Sequence, residues 1–511
     1  MSTATQKLAQ QRLTRTLSVA VVSLIAVFAY LSMAAGARAA TRHASPRLHA
    51  LAVQPGRAAA DPTPVMGWSS WSFLRFGIDT QRIEQEADAM VSTGLVNYGY
   101  NHINIDDNWY VCPGPQGPDV DSYGRWVVDS SEFPSVGNEN GIAAVAAYVH
   151  HLGLKFGIYE TAGISKQAVA ENTPVLGTDY TADQIASATK QANYNCGGMV
   201  DLDYSQPGAQ AYVDSVVDQL ASWGVDYIKL DGITDKNTAD IKAWSDAISQ
   251  SGRTMVLDTT EGNFDTTLAP TLDQYANQWE FSPDIEINGP DEGSADGCNA
   301  APYTGCLSVF PFTSYSWWFD RFNAVAKWQP YGGPGGFNDY DSIEVGDGEA
   351  DSGMSQAAEQ SQLSLWALGS APFILGVNLS DSVTNAFGSS GGLTPSGLAM
   401  LTNRAVIAVD QDAIDASRIH KTDVSQVFSK IERGGDAVAG LFDTDQTAGA
   451  QPEQIKTKAS KLGLPASAAG YRVQDLWTGT TETISSAGKI AETVQPEGVA
   501  LLRVTPIGGA G

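Results

Sequence analysis

The sequence predicts an α/β protein: a (β/α)₈ TIM barrel followed by a C-terminal antiparallel β-sandwich. Three observations lead there. From about Asp61 to Asp410, short apolar runs alternate with amphipathic stretches of helix length, the spacing of β-α units feeding a parallel sheet. Eight such units in roughly 350 residues suit a closed barrel, and no Gly-rich phosphate fingerprint opens a helix, which counts against a dinucleotide fold. After about Asp412 the pattern turns to short β-prone segments separated by polar and Gly-rich turns, as in a small sandwich.

The 511-residue chain is long for one domain, and one large plus one small domain is expected. Residues 1–40 read as an export signal. Lys7, Arg12 and Arg15 precede an apolar stretch from Leu17 to Met33, and Ala37-Arg38-Ala39 resembles a small-residue cleavage site. An uncleaved anchor is the other reading, since the stretch is near the lower limit for a span. Residues 41–60 are rich in Ala, Arg and Pro without periodicity and are expected to be a disordered linker. The catalytic barrel is placed at 61–411 and the sandwich at 412–511.

In the barrel, the runs read as strands are Val65–Trp68, His102–Asp106, Lys155–Tyr159, Tyr227–Asp231, Thr254–Asp258 and Gln278–Ser282, then a weaker segment near Phe337 and Phe373–Leu375. Between them the 3.6-residue pattern predicts helices over Arg82–Ser92, Ile142–His151, Ala209–Trp223, Ala239–Gln250 and Ser355–Leu368. The sandwich segments are Val424–Ile431, Asp436–Phe442, Tyr471–Asp475 and Gly498–Val504, with Thr447–Ser467 as its long loop.

A formal charge of -27 argues against nucleic acid or an anionic membrane as partner, and a neutral substrate fits better. Four cysteines in an exported chain suggest two disulfides, for which three pairings exist. Cys298 and Cys306 are neighbours in a Gly/Asn/Pro-rich stretch and are expected to pair, leaving Cys112 with Cys196. No His stands at ligand spacing from any of them, so neither metal nor cofactor is expected.

The chemistry is expected where strands end and βα-loops begin. Carboxylates collect there: Asp106 and Asp107, Asp231, Asp284, and Asp339 with Asp341. In Tyr227-Ile228-Lys229-Leu230-Asp231-Gly232, Lys229 and Asp231 share a strand face, and the cation favours an ionised acid. Trp68 and Trp71 can form an apolar platform for a sugar ring or pack in the core. Asp106 and Asp107 can both point inward only if their strand stops there. Such a pair suits two neighbouring sugar hydroxyls, or a calcium ion.

These motifs together resemble glycoside hydrolase family 27, the α-galactosidases and α-N-acetylgalactosaminidases. The resemblance runs through Met66-Gly67-Trp68, Asn104-Ile105-Asp106-Asp107, Leu154–Tyr159, Lys229-Leu230-Asp231-Gly232, Ser282-Pro283-Asp284-Ile285, Gly332–Asp339, Leu363–Leu368 and Val406–Asp412. It implies a secreted retaining α-glycosidase with Asp231 as nucleophile and Asp284 as acid/base. It places Asp106, Asp107 and Lys229 on the galactose hydroxyls of carbons 3, 4 and 6, and Trp71 and Tyr159 in the pocket wall. Asp341 corresponds to a further carboxylate near the site, unless it is a loop charge bonding its own backbone.

Three departures bear on the sugar. Where family members carry an arginine four residues before the acid/base, near the 2-hydroxyl, this chain has Glu280. That exchange replaces donors with acceptors. It raises the pKa of a nearby general acid, or marks another sugar, or the residue turns outward. A fifth-strand glutamate of the family falls at Thr260 or Glu261, and two family cysteines are Asn108 and Ile233 here. The reading is an α-galactosidase acting on a carbohydrate, with no membrane partner after signal cleavage. The rivals are α-N-acetylgalactosaminidase, β-L-arabinopyranosidase, isomalto-dextranase, or a sugar-binding pseudo-enzyme that keeps the pocket without turnover.

Overall fold

A computed structural model describes residues 62–193, 196–260, 265–286, 313–385 and 389–508. The expected signal and linker, and the Cys298–Cys306 pair, lie outside these residues. Eight parallel strands follow one another around the barrel: β1 (Met66–Ser69), β2 (His102–Ile105), β3 (Lys155–Thr161), β4 (Tyr227–Asp231), β5 (Val256–Thr260), β6 (Gln278–Glu280), β7 (Phe337–Asp339) and β8 (Phe373–Leu375). β8 pairs with β1, and just past β7, Ile343 bridges Leu375 of β8, so the ring closes. Gly157 in β3 lies against the Asn104 side chain of β2, where a Cβ would collide.

The helices have local causes. α1 (Thr80–Ser92) is capped by Asp79, whose side chain accepts from the Arg82 N–H, and α2 (Gly141–His151) by Asn140. α3 (Pro207–Trp223) starts on proline and ends on Gly224 at φ 91°. α4 (Thr238–Ser251), α5 (Ala269–Tyr275), α6 (Arg321–Trp328), α7 (Gln356–Leu368) and α8 (Arg404–Asp410) follow, with shorter helices between them. The sequence pattern did not reveal α5, α6 and α8. Among the described residues, no helix is long and apolar enough to cross a membrane.

After β3 the chain leaves the barrel as a three-stranded antiparallel excursion, Ile164–Ser165, Ala186–Gln191 and Met199–Leu202. Its return is tied to the β2 loop by a disulfide between Cys112 and Cys196.

The C-terminal strands are β9 (Ser417–Lys421), β10 (Ser425–Ile431), β11 (Ala437–Asp443), β12 (Glu453–Lys458), β13 (Tyr471–Asp475), β14 (Thr481–Ile484), β15 (Lys489–Val494) and β16 (Val499–Pro506). They form an antiparallel six-stranded sheet in the order β9-β10-β11-β16-β13-β14, and a β12-β15 pair. The expected loop over Thr447–Ser467 is therefore corrected: it contains β12. That strand buries Ile455 within an otherwise polar Glu-Gln-Ile-Lys-Thr-Lys, too weak a period-2 signal to register.

The sheet covers α7, which is why Ser361–Leu368 is buried on every side. Lys430 of β10 enters this seam and donates to the Ala367 and Val409 carbonyls and to Ser370 Oγ at 3.3, 2.5 and 3.1 Å. It thus caps the C-terminal ends of α7 and α8. Phe322 of α6 packs on Phe442 and Phe428, with ring centroids 5.1 and 6.1 Å apart. α6 is thereby anchored to the sandwich.

Candidate active site

Alternation along β4 decides which residues meet in the barrel mouth. Ile228 and Leu230 are fully buried against the helices, while Tyr227, Lys229 and Asp231 share the interior face. Lys229 Nζ donates to Asp106 Oδ2 at 2.7 Å. Asp231 accepts three bonds: from the Gly232 N–H (2.6 Å) and Thr260 Oγ1 (3.0 Å) on Oδ1, and from the Tyr159 hydroxyl (3.0 Å) on Oδ2. Burial nevertheless pushes its pKa up to about 7. The Lys229 cation and the Gly232 N–H pull the other way, and the Asp284 carboxylate adds to the rise. Asp284 is therefore close enough to be felt at Asp231.

β2 stops at Ile105, which frees both following aspartates from strand alternation. The Asp106 N–H donates to Ser70 Oγ, and the chain turns at Asn108, in the left-handed region at φ 76°. Asp106 and Asp107 are both buried; burial first, and then the fields of Asp107, Asp231 and Asp106, raise the pKa of the Tyr159 hydroxyl. The Lys229 ammonium already neutralises Asp106.

The third wall comes from β6, β7 and α6. Glu280 ends β6 and faces inward, buried, which excludes the outward orientation. One oxygen each from Glu280, Asp284 and Asp341 lie within 4.8 Å of one another. Among the described residues this trio is placed to share a cation, but Arg321 already stands against two of its members. The guanidinium Nη2 is 3.9 Å from Glu280 Oε1 and 3.6 Å from Asp341 Oδ2. Burial and repulsion from Asp284 raise Asp341 to about 6, with Arg321 opposing. Burial, then Asp341 and Asp284, push Glu280 well up.

Asp341 does more than bond its own backbone. Its Oδ2 accepts the Ile285 N–H at 2.7 Å, tying the residue after Asp284 to the end of β7, while its Oδ1 accepts the Ser342 N–H. It can do so because it occupies the left-handed region, φ 75°.

The floor is polar. Tyr227 donates to Asp258 Oδ2 at 2.6 Å and accepts from Gln278 at 3.1 Å. Burial raises Asp258 to about 6, and burial with repulsion from Asp258 raises Asp339. Asp106, Lys229, Thr260, Glu280, Asp339 and Asp341 thus surround one hollow of about 420 Å³, open mouth included.

The tryptophans divide. Trp68 is fully buried and its indole N–H donates to the Val377 carbonyl at 2.8 Å, so it is core and not a platform. Trp71 is partly exposed, and the Arg75 guanidinium sits over its ring at 4.5 Å. The excursion after β3 also reaches the site. Gln191 Nε2 donates to the Gly232 carbonyl at 2.8 Å, and Gln191 Oε1 accepts from Asn237 at 3.1 Å. The turn after Asp231 is thereby braced from outside the barrel.

A family model described as alpha galactosidase A matches residues 63–186 and 313–412, and one for the alpha galactosidase C-terminal beta sandwich domain matches 422–504. An α-galactosidase of Coffea arabica is 30% identical over 449 residues, covering 87% of this chain and 94% of that protein. The chain belongs to the α-galactosidase family, glycoside hydrolase family 27. An α-galactosidase of Oryza sativa is 28% identical over 452 residues, 87% of this chain and 85% of that one. A family 27 β-L-arabinopyranosidase from Geobacillus stearothermophilus has the same fold, with a TM-score of 0.73 at 24% identity over 88% of this chain and 98% of that one.

This family 27 member is a glycoside hydrolase, and two residues in or behind the wall of its hollow were not assigned by local reading. Thr260 emerges as a donor to Asp231. Arg321 carried no local signal, standing among the aromatic residues of Tyr315–Phe322. Only the packing of α6 brings it beneath Glu280.

Proposed function

We propose that the enzyme is an exported, retaining α-galactosidase that works by double displacement. The observation that carries this reading is Asp231. It is a strand-end carboxylate held by three donors beside Lys229, with the Asp284 carboxylate near enough to raise its pKa. Asp231 attacks the anomeric carbon while Asp284 protonates the departing oxygen. Asp284 then takes a proton from water, which displaces the sugar from Asp231 with net retention. Tyr159, Thr260 and the Gly232 N–H aim the nucleophile. Asp106, Asp107 and Lys229 bind the hydroxyls on the far side of the ring.

Galactose is favoured over arabinopyranose because the acidic pair and lysine suit a sugar that has a carbon-6 hydroxyl, and the matched relatives above are named α-galactosidases. Export is supported by the basic and apolar segment before Ala40 and by the disulfide. A panel of chromogenic α-galactoside, α-N-acetylgalactosaminide and β-L-arabinopyranoside tests the specificity. The galactoside should have the highest kcat/KM; faster arabinopyranoside turnover would overturn the assignment.

The nucleophile must be ionised, and its folded pKa is about 7. On the acid side, kcat/KM should therefore rise as pH climbs towards about 7. Lys229 holds that pKa down, so Lys229→Met should move the limb upward by about one unit or more. A limb unmoved by this substitution would contradict the electrostatics.

A further inference from the structure

We propose that Arg321 is a positioning residue that holds Glu280 and Asp341 as a wall of acceptors beside Asp284. Through that wall, Glu280 selects sugars bearing a hydrogen-bond donor on carbon 2. The proposal rests on the reading of Asp231 and Asp284 as flanking the reacting carbon.

Glu280 is buried, yet its Oε1 has no hydrogen-bond partner; its nearest cation, Arg321, stands 3.9 Å away. A buried acceptor left without a donor is costly unless a ligand supplies one. Arg321 cannot swing into the hollow to meet the sugar itself. Its Nε donates to the Tyr340 carbonyl at 3.0 Å, its Nη2 donates to the Pro283 carbonyl, and its helix is pinned through Phe322 to the sandwich. The same guanidinium thus holds Pro283 directly and Ile285 through Asp341, the residues on either side of Asp284.

Ring chemistry identifies the position that Glu280 reads. The Glu280 carboxylate lies within 4.8 Å of Asp284 oxygen, beside the reacting carbon. That carbon has two ring neighbours. One is the ring oxygen, which offers only lone pairs; the other is carbon 2, whose hydroxyl or acylamino N–H is a donor. A carboxylate is matched by the second.

The test compares kcat/KM for paired substrates, an aryl α-galactoside or β-L-arabinopyranoside and its 2-deoxy counterpart, so that intrinsic reactivity cancels between variants. Glu280→Ala should lose about 10- to 100-fold on the parent glycoside and far less on the 2-deoxy compound. If the alanine variant does not fold, Glu280→Met, which is of similar length and offers no carboxyl or amide acceptor, is read the same way. Arg321→Met should shrink the same ratio while the acid limb, which Asp231 sets, stays in place; Arg321→Lys should restore part of the ratio.

Equal losses on both partners would overturn the proposal, placing Glu280 against charge on the ring oxygen instead. So would an Arg321→Met enzyme that melts lower with the ratio unchanged. Wild-type turnover of the arabinopyranoside pair alone would sink the galactose assignment and leave this ratio to be read there. Turnover of neither pair would overturn both.

Discussion

Asp231→Asn should lower kcat by about 10⁴-fold or more and leave the melting temperature unchanged or higher. The amide oxygen can still accept from the Gly232 N–H and Thr260, and the Tyr159 hydroxyl can rotate to accept from the new amide. The fold therefore keeps its contacts. What is lost is the oxygen that bonds carbon. The stability sign follows from the raised pKa, about 7 in the folded chain against 3.8 for an ordinary aspartate. Such a group contributes stability that is fully present below pH 3.8 and lost as pH rises through about 7. Asparagine does not ionise, so its advantage in melting temperature should grow from pH 4 to pH 8. An activity loss accompanied by a lower melting temperature at pH 8 would point to a structural role.

Asp284→Asn should divide substrates by leaving group. An aryl galactoside with a very acidic phenol needs little protonation and should lose no more than about tenfold in kcat/KM. Alkyl or disaccharide galactosides should lose about 10²- to 10⁴-fold. With the activated substrate, the second step becomes limiting, because the asparagine cannot deprotonate water. Asp284 is exposed, unlike Asp231, and it is held from both sides by Asp341 and Arg321 acting on its neighbours. A uniform loss across leaving groups would reassign it to binding.

The parts of this site visible in the sequence are those whose signal is local. β4 and β8 have the predicted bounds because their apolar runs are bordered by clear turn residues, and Lys229 and Asp231 share a face by strand periodicity alone. The end of β2 at Ile105, needed for Asp106 and Asp107 to work together, was legible as a condition, and the structure meets it through Asn108. The segment Ala186–Gln191 escaped notice because Ala-Ser-Ala-Thr-Lys-Gln has little strand character; its pairing with Met199–Leu202 makes it a strand.

Glu280 stood out only as a departure from a pattern, and its orientation could not be read from sequence. Its partner Arg321 lies 41 positions later, so the ion pair exists only through tertiary packing. Trp68 was open between two readings, sugar platform and core. A tryptophan at a strand end suggests a sugar platform, but a buried carbonyl within reach of its indole N–H makes it core.

The most direct test of the central claim is trapping with 5-fluoro-α-galactosyl fluoride, which keeps its 2-hydroxyl and slows release of the glycosyl-enzyme. Peptide mass spectrometry of the inactivated enzyme should find one sugar per chain, on the peptide containing Asp231. An adduct on another carboxylate, or turnover with no adduct at all, would contradict the assignment of Asp231 as the atom donor to the anomeric carbon.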